Sequence, residues 1–143
     1  MAEDGFPKET SLQHIFFFGL VKNIPASTEV VPEASAILPR LGKSRGEIDF
    51  YVNSKLHYGI ELMRKGAKFK EHASRFHEGG KYFTPNIQEY RLVDFVEETY
   101  DPRQKPDGID VWQKRVIVKL KKDFSSCEVW RNRALVQTIH FVV

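Results

Sequence analysis

Asp49 and Glu61 are the residues whose placement says most about chemistry. Each lies in a run that alternates apolar and polar side chains: Gly46-Glu47-Ile48-Asp49-Phe50-Tyr51-Val52, then Tyr58-Gly59-Ile60-Glu61-Leu62-Met63-Arg64. Period-2 patterning with branched and aromatic residues predicts two half-buried strands. The polar break Asn53-Ser54-Lys55 predicts a hairpin between them. Neighbouring antiparallel strands bring facing Cβ atoms to roughly 5 Å, so Asp49 and Glu61 are expected to meet on one face. Two carboxylates held together repel, and a divalent cation such as magnesium relieves that repulsion. A cation there activates water for attack on a phosphodiester. Glu47 shares the parity of Asp49 and is the candidate for a further, water-mediated contact to the ion. A solvated sheet face carrying alternating acids is the other reading of the same pattern.

The segment after the second strand, from Gly66 to Tyr82, carries Phe69, Ala73 and Phe76 at helical spacing. It predicts a short helix that buries one side, with Gly66 allowing the turn into it and Gly79-Gly80 ending it. His72 and Arg75 fall on this helix, and Lys68 and Lys70 at its start. Glu71 and Arg75 stand four apart and are expected to pair on its surface.

Several ordered motifs in this stretch resemble the C-terminal domains of Crinkler-type effectors. They are Gly46-x-x-Asp49-Phe50, Gly59-Ile60-Glu61-Leu62-x-Arg64-x-Gly66, Glu71-His72-x-x-Arg75-Phe76 and Gly79-Gly80-x-Tyr82. The resemblance spans roughly residues 34 to 140. It implies a restriction-endonuclease-like domain of the PD-(D/E)XK superfamily: a mixed sheet flanked by helices, an acid on one strand and acid-x-Lys on the next. Asp49 matches the first acid and Glu61 the second, but Met63 stands where the superfamily places its lysine. The implied replacements are Lys65, which shares parity with Glu61, or a basic residue of the following helix: Lys68, Lys70, His72 or Arg75. On this reading Asp49, Glu61, Lys65 and His72 are catalytic, Asp49, Glu61 and Glu47 hold magnesium, and Lys68, Lys70 and Arg75 contact nucleic acid, DNA first. The superfamily also places an additional acid near the first helix, for which Glu29 and Glu33 are the candidates. The resemblance further implies secretion through a leader upstream of this chain, action in a host cell and its nucleus, and an NTPase module as companion. An inactive nuclease fold that binds DNA or a host protein is the alternative.

The composition fits one globular domain. The chain has 143 residues, 41% hydrophobic and 13% aromatic, with 11 phenylalanines, enough for a sizeable core. A net charge of +3 is a mild basic lean, compatible with weak phosphate binding. The lone Cys127 excludes an internal disulfide and a cysteine-rich zinc cluster. No stretch reaches the roughly 18 apolar residues of a membrane helix.

The elements that must position the acids are predicted as an α+β (α/β) domain, a central mixed sheet of about six strands with two or three helices. Residues 1–9 read as an unstructured leader and 10–143 as the domain. A helix capped by Thr10 or Ser11 is expected to run to about Lys22, with Leu12, Ile15, Phe16, Leu20 and Val21 as its apolar stripe. The Phe16-Phe17-Phe18 run makes it apolar around its girth, for packing or for docking a partner. Residues 23–32 read as a loop. Further strands are expected at 90–96, 111–120, 127–131 and 135–143, the last two joined by a turn at Asn132-Arg133. Trp112 and Trp130 are candidate platforms for unpaired bases, with core packing as the alternative.

Overall fold

The computed structural model describes residues 1–32, 48–52, 57–82, 87–104 and 113–141. Among these, helix α1 spans Glu9–Asn23. Strands β1 (Val30–Pro32), β2 (Phe50–Val52) and β3 (Tyr58–Arg64) follow. Helix α2 (Phe69–Ser74) precedes β4 (Glu89–Glu97), β5 (Arg115–Leu120), β6 (Ser126–Arg131) and β7 (Ala134–His140). All seven strands form one sheet in chain order. The sheet is mixed, as expected: β3–β4 and β4–β5 are parallel and the other pairs antiparallel. Each parallel step needs a crossover, and α2 lies in the one from β3 to β4.

The strand absent from the sequence-based prediction is β1. It is three residues long, follows a Pro-Ala-Ser-Thr stretch and ends in Pro32, so it reads as a loop. Pro32 is tolerated because β1 is an edge strand, where one missing donor breaks no ladder. The β5–β6–β7 meander forms as predicted. Asn132 and Arg133, both with left-handed φ, make its two-residue turn.

The sheet buries apolar side chains on both faces, and strand parity sorts them. Phe50, Val52, Ile60, Leu62, Val93 and Phe95 join Leu12 and Phe6 on the α1 side. Tyr51, Met63 and Leu92 join Phe69, Ala73 and Phe76 on the α2 side, and so does Ile48, which lies before β2 and does not share the face of Phe50 and Val52 that alternation predicts. α1 starts at Glu9 after an extended Lys8 and has no side-chain cap, so neither Thr10 nor Ser11 caps it. It stops before Pro25, which disfavours helical backbone at Ile24. Leu12, Phe16, Phe17 and Leu20 face the sheet, with Phe16 and Phe17 centred 5.5 and 6.0 Å from Phe50. Ile15, Phe18 and Val21 point to solvent, so the expected stripe splits between the two faces.

The first residues are packed and not an unstructured leader. Phe6 is 5% exposed and sits in the core beside Leu12. Asp4 pairs with Lys65 at 2.9 Å and with Arg64, and these cations hold its carboxyl well below the ordinary range. An apolar anchor and two ion pairs order a segment whose composition alone looks like a tail. Among the described residues, no helix is long and apolar enough to cross a membrane.

After α2 the chain folds back so tightly that a Cβ on Gly80 falls 2.2 Å from the Ser74 carbonyl oxygen and 2.5 Å from that of Arg75. Backbone cannot yield as a side chain can. Gly80→Ala is therefore expected to destabilise the fold by about 3 kcal/mol, read from urea denaturation. A loss under about 1 kcal/mol contradicts this packing.

Candidate active site at the β2–β3–α2 junction

The register of β2 against β3 pairs Phe50 with Ile60, and one step outward it sets Asp49 opposite Glu61. β2 begins only at Phe50, so Asp49 lies just outside the ladder. Its carboxylate takes over a strand's role there: Oδ2 accepts the Leu62 N–H at 2.7 Å, and Oδ1 accepts from Gln13 Nε2 of α1 at 2.9 Å. Burial and the negative charge of Glu61 push the Asp49 carboxyl up to about 7, with Glu9 adding to the rise and the two hydrogen bonds opposing it. The two acids are thus electrostatically coupled, and both line one pocket.

Glu61 is 2% exposed and its two oxygens differ. Oε2 accepts from His72 Nδ1 at 2.7 Å and from Arg75 Nη1 at 3.0 Å. Oε1 is buried and has no hydrogen-bond partner, a costly state for a carboxylate oxygen. The Tyr82 hydroxyl is close by, and burial, the Glu61 charge and a hydrogen bond to the Glu61 carboxylate raise its pKa.

An open pocket of about 400 Å³ connects these groups, lined by Glu9, Asp49, Glu61, Lys68, His72 and Arg75 among others. Two features of the chain shape it. Three left-handed residues, Lys65, Gly66 and Lys68, turn the chain sharply from β3 into α2. The buried Asp94 then accepts the Gly66 N–H at 2.8 Å, which anchors that turn to β4. α2 is thereby set over β3, and His72 and Arg75 come down onto Glu61.

The remaining predicted residues divide. Lys65 does not reach back to Glu61. Its left-handed backbone ends the strand, and Nζ lies 2.9 Å from both Asp4 and Glu97. Arg75 is engaged by protein carboxylates and not open to phosphate: Nη2 also meets Glu71 at 3.0 Å, the expected surface pair. Lys68 and Lys70 are exposed, and Lys68 stands at the pocket rim. Met63 is buried among the apolar residues of the α2 face. Glu47, Glu33 and Trp112 lie outside the described residues. Glu29 is exposed just before β1 and does not line the pocket. Trp130 is 8% exposed, with Arg103 over its ring and its indole N–H on Glu128, so it is no platform for a base.

Glu9 and Gln13 are the site residues missing from the sequence-based prediction. They stand four apart on α1, hence on one helix face, but Glu9 reads as part of the leader when the helix is started at Thr10. Among the described residues, no cluster of three or more His, Cys, Asp or Glu side chains has metal-holding geometry. The acids present, Asp49 and Glu61 with Glu9 at the rim, suit a hard cation of the magnesium type in donor chemistry, and the orphaned Oε1 is an oxygen such an ion would satisfy. Comparison of the chain with protein families, with curated proteins and with solved structures finds no match.

Proposed function

We propose that this domain binds a divalent cation, magnesium or manganese, at Asp49 and Glu61 and hydrolyses phosphodiester bonds of nucleic acid, DNA first. The observation that carries the reading is the unpartnered, buried Glu61 Oε1 beside an Asp49 carboxyl that the Glu61 charge perturbs. Placing two carboxylates together costs free energy, and a cation between them recovers it. The restriction-endonuclease-like reading of the fold rests on an acid just before β2 and another on β3 of a mixed sheet, an acid on the first helix (Glu9), and basic groups from the helical segment after β3. Action inside a host cell after secretion, and an NTPase companion, rest on the Crinkler resemblance of the motifs.

In this reading the chain's residues divide the work. Gln13 and the Leu62 N–H orient the Asp49 carboxylate. Lys68 at the rim binds phosphate as a point charge. His72 and Arg75 hold one oxygen of Glu61 in place, and Asp49 and Glu61 would hold the cation. The cation, when bound, supplies Lewis acidity toward the phosphoryl group and its nucleophile.

The test is incubation of the purified domain with plasmid DNA and Mg²⁺ or Mn²⁺. Nicking or cutting is expected, with loss of about 100-fold or more in Glu61→Gln, as for removal of a group that acts on the developing charge. A wild type as inert as the variant across metals sinks the hydrolase and leaves the second reading: a nuclease fold without catalysis that binds DNA or a protein partner. One observation favours that alternative, since Arg75 already forms an ion pair with Glu61 while a buried Met63 replaces the lysine.

A further inference from the structure

Two nitrogen groups at this pocket, the His72 imidazole and the Arg75 guanidinium, meet on one atom. Arg75 Nη1 and His72 Nδ1 share Glu61 Oε2, and they lie 3.3 Å from each other. His72 comes from α2 and Arg75 from the C-cap that ends this short helix. The guanidinium is 20% exposed, and its second nitrogen is taken by Glu71. The phosphate-binding potential of Arg75 is thus spent inside the protein on the carboxylate that the proposed cation needs. Lys68, by contrast, is 70% exposed, and among the described residues it meets Glu71, at 3.9 Å.

We infer that Arg75 is an internal latch: it stays on Glu61 while the site lacks a divalent cation, and is released to a phosphodiester of the nucleic acid when the cation takes Glu61. This rests on the proposed cation site and adds how that site is regulated. The physical ground is competition for one anion. A guanidinium paired with a buried carboxylate has little capacity left for phosphate, because its donors are arranged in a fixed fork. A dication bound to Glu61 supplies the neutralising charge in its place, and the fork becomes available. Cation and phosphate then bind cooperatively, and the coupling is reciprocal: each raises the affinity of the other by the same factor. Lys68, already at the rim, contributes in both states.

The experiment measures affinity of the whole domain for a short duplex oligonucleotide by fluorescence anisotropy, without metal and with Mg²⁺ or Ca²⁺. Wild type is expected to bind about tenfold tighter with metal, within the usual range of such couplings. In Glu61→Gln the buried anion is gone and only the exposed Glu71 still pairs with Arg75, so binding without metal is expected to be about tenfold tighter than wild type and insensitive to metal. Its plot of log affinity against log salt steepens by about 0.9, one added phosphate contact. Glu78→Gln changes net charge equally on the exposed segment after α2 and is expected to leave both affinity and slope near wild type. Arg75→Gln is expected to lose the metal-dependent gain. Near-ultraviolet spectra and melting curves of each variant establish that it is folded. Metal-free Glu61→Gln binding no tighter than Glu78→Gln overturns the latch, and so does a metal-dependent gain that persists in Arg75→Gln. Calorimetric titration with Mn²⁺ separates the two claims. Absence of any Mn²⁺ binding sinks the cation site, whereas Mn²⁺ binding with no change in oligonucleotide affinity sinks the latch alone.

Discussion

Asp94→Ala is expected to destabilise the domain by about 3–5 kcal/mol, the cost of leaving a buried charge without its partner. Asp94 is fully buried and Arg115 5% exposed. Arg115 Nε donates to Asp94 Oδ2 at 3.0 Å, Nη2 binds the same oxygen, and Nη1 donates to the Tyr100 hydroxyl at 2.9 Å. The other oxygen, Oδ1, holds the Gly66 N–H of the turn into α2. Removing the carboxylate therefore strands a guanidinium and a backbone donor together. Their attraction does not make the pair a net asset over apolar packing. The double variant Asp94→Leu with Arg115→Met is accordingly expected to be more stable than Asp94→Ala, a non-additivity typical of residues in contact. Urea denaturation of the three proteins decides it. A single variant within about 1 kcal/mol of wild type means the pair is solvated in solution.

The second large effect is on pH dependence. The Asp49 carboxyl titrates at about 7 in the folded chain against an ordinary value of 3.8. Between those values the folded state holds a proton that the unfolded chain has released. Stability therefore falls as pH rises through that window and levels off above it. The full shift corresponds to about 4 kcal/mol, an upper figure because the group is only partly shielded from water. Asp49→Asn carries no titrating group, keeps the Leu62 N–H acceptor, and is expected to remove most of the slope. It should thus be more stable than wild type at pH 8, and little changed at pH 4. Melting temperatures across pH 4–8 in the absence of divalent ions measure this, and parallel curves for the two proteins would refute it.

The sequence by itself determined the parts that depend on short-range alternation and helical spacing. Phe50 to Val52 and Tyr58 to Arg64 state their own strand parity, and the antiparallel register of the two strands brings the residue before β2, Asp49, toward Glu61. Phe69, Ala73 and Phe76 likewise state which side of α2 is buried. Asn132-Arg133 marks the last hairpin because only two residues separate its strands.

Tertiary structure alone decided where the charges end. Long side chains choose partners by proximity in space, and nothing in local spacing encodes that. Lys65 shares parity with Glu61 yet turns to Asp4 and Glu97, since a left-handed residue ends the strand there and a segment 60 residues away supplies an anion. Arg75 reads as a phosphate ligand until the crossover of α2 lays it on Glu61. Phe6 and Glu9 read as part of a tail until the sheet provides the apolar face and the carboxylate that they meet. β1 exists because β2 offers it an open edge, not because Val30-Val31-Pro32 specifies a strand. Backbone pattern is local and survives the absence of a fold, whereas the pairing of Glu61 with two groups of α2 requires a turn, a crossover and a buried Asp94 to act together.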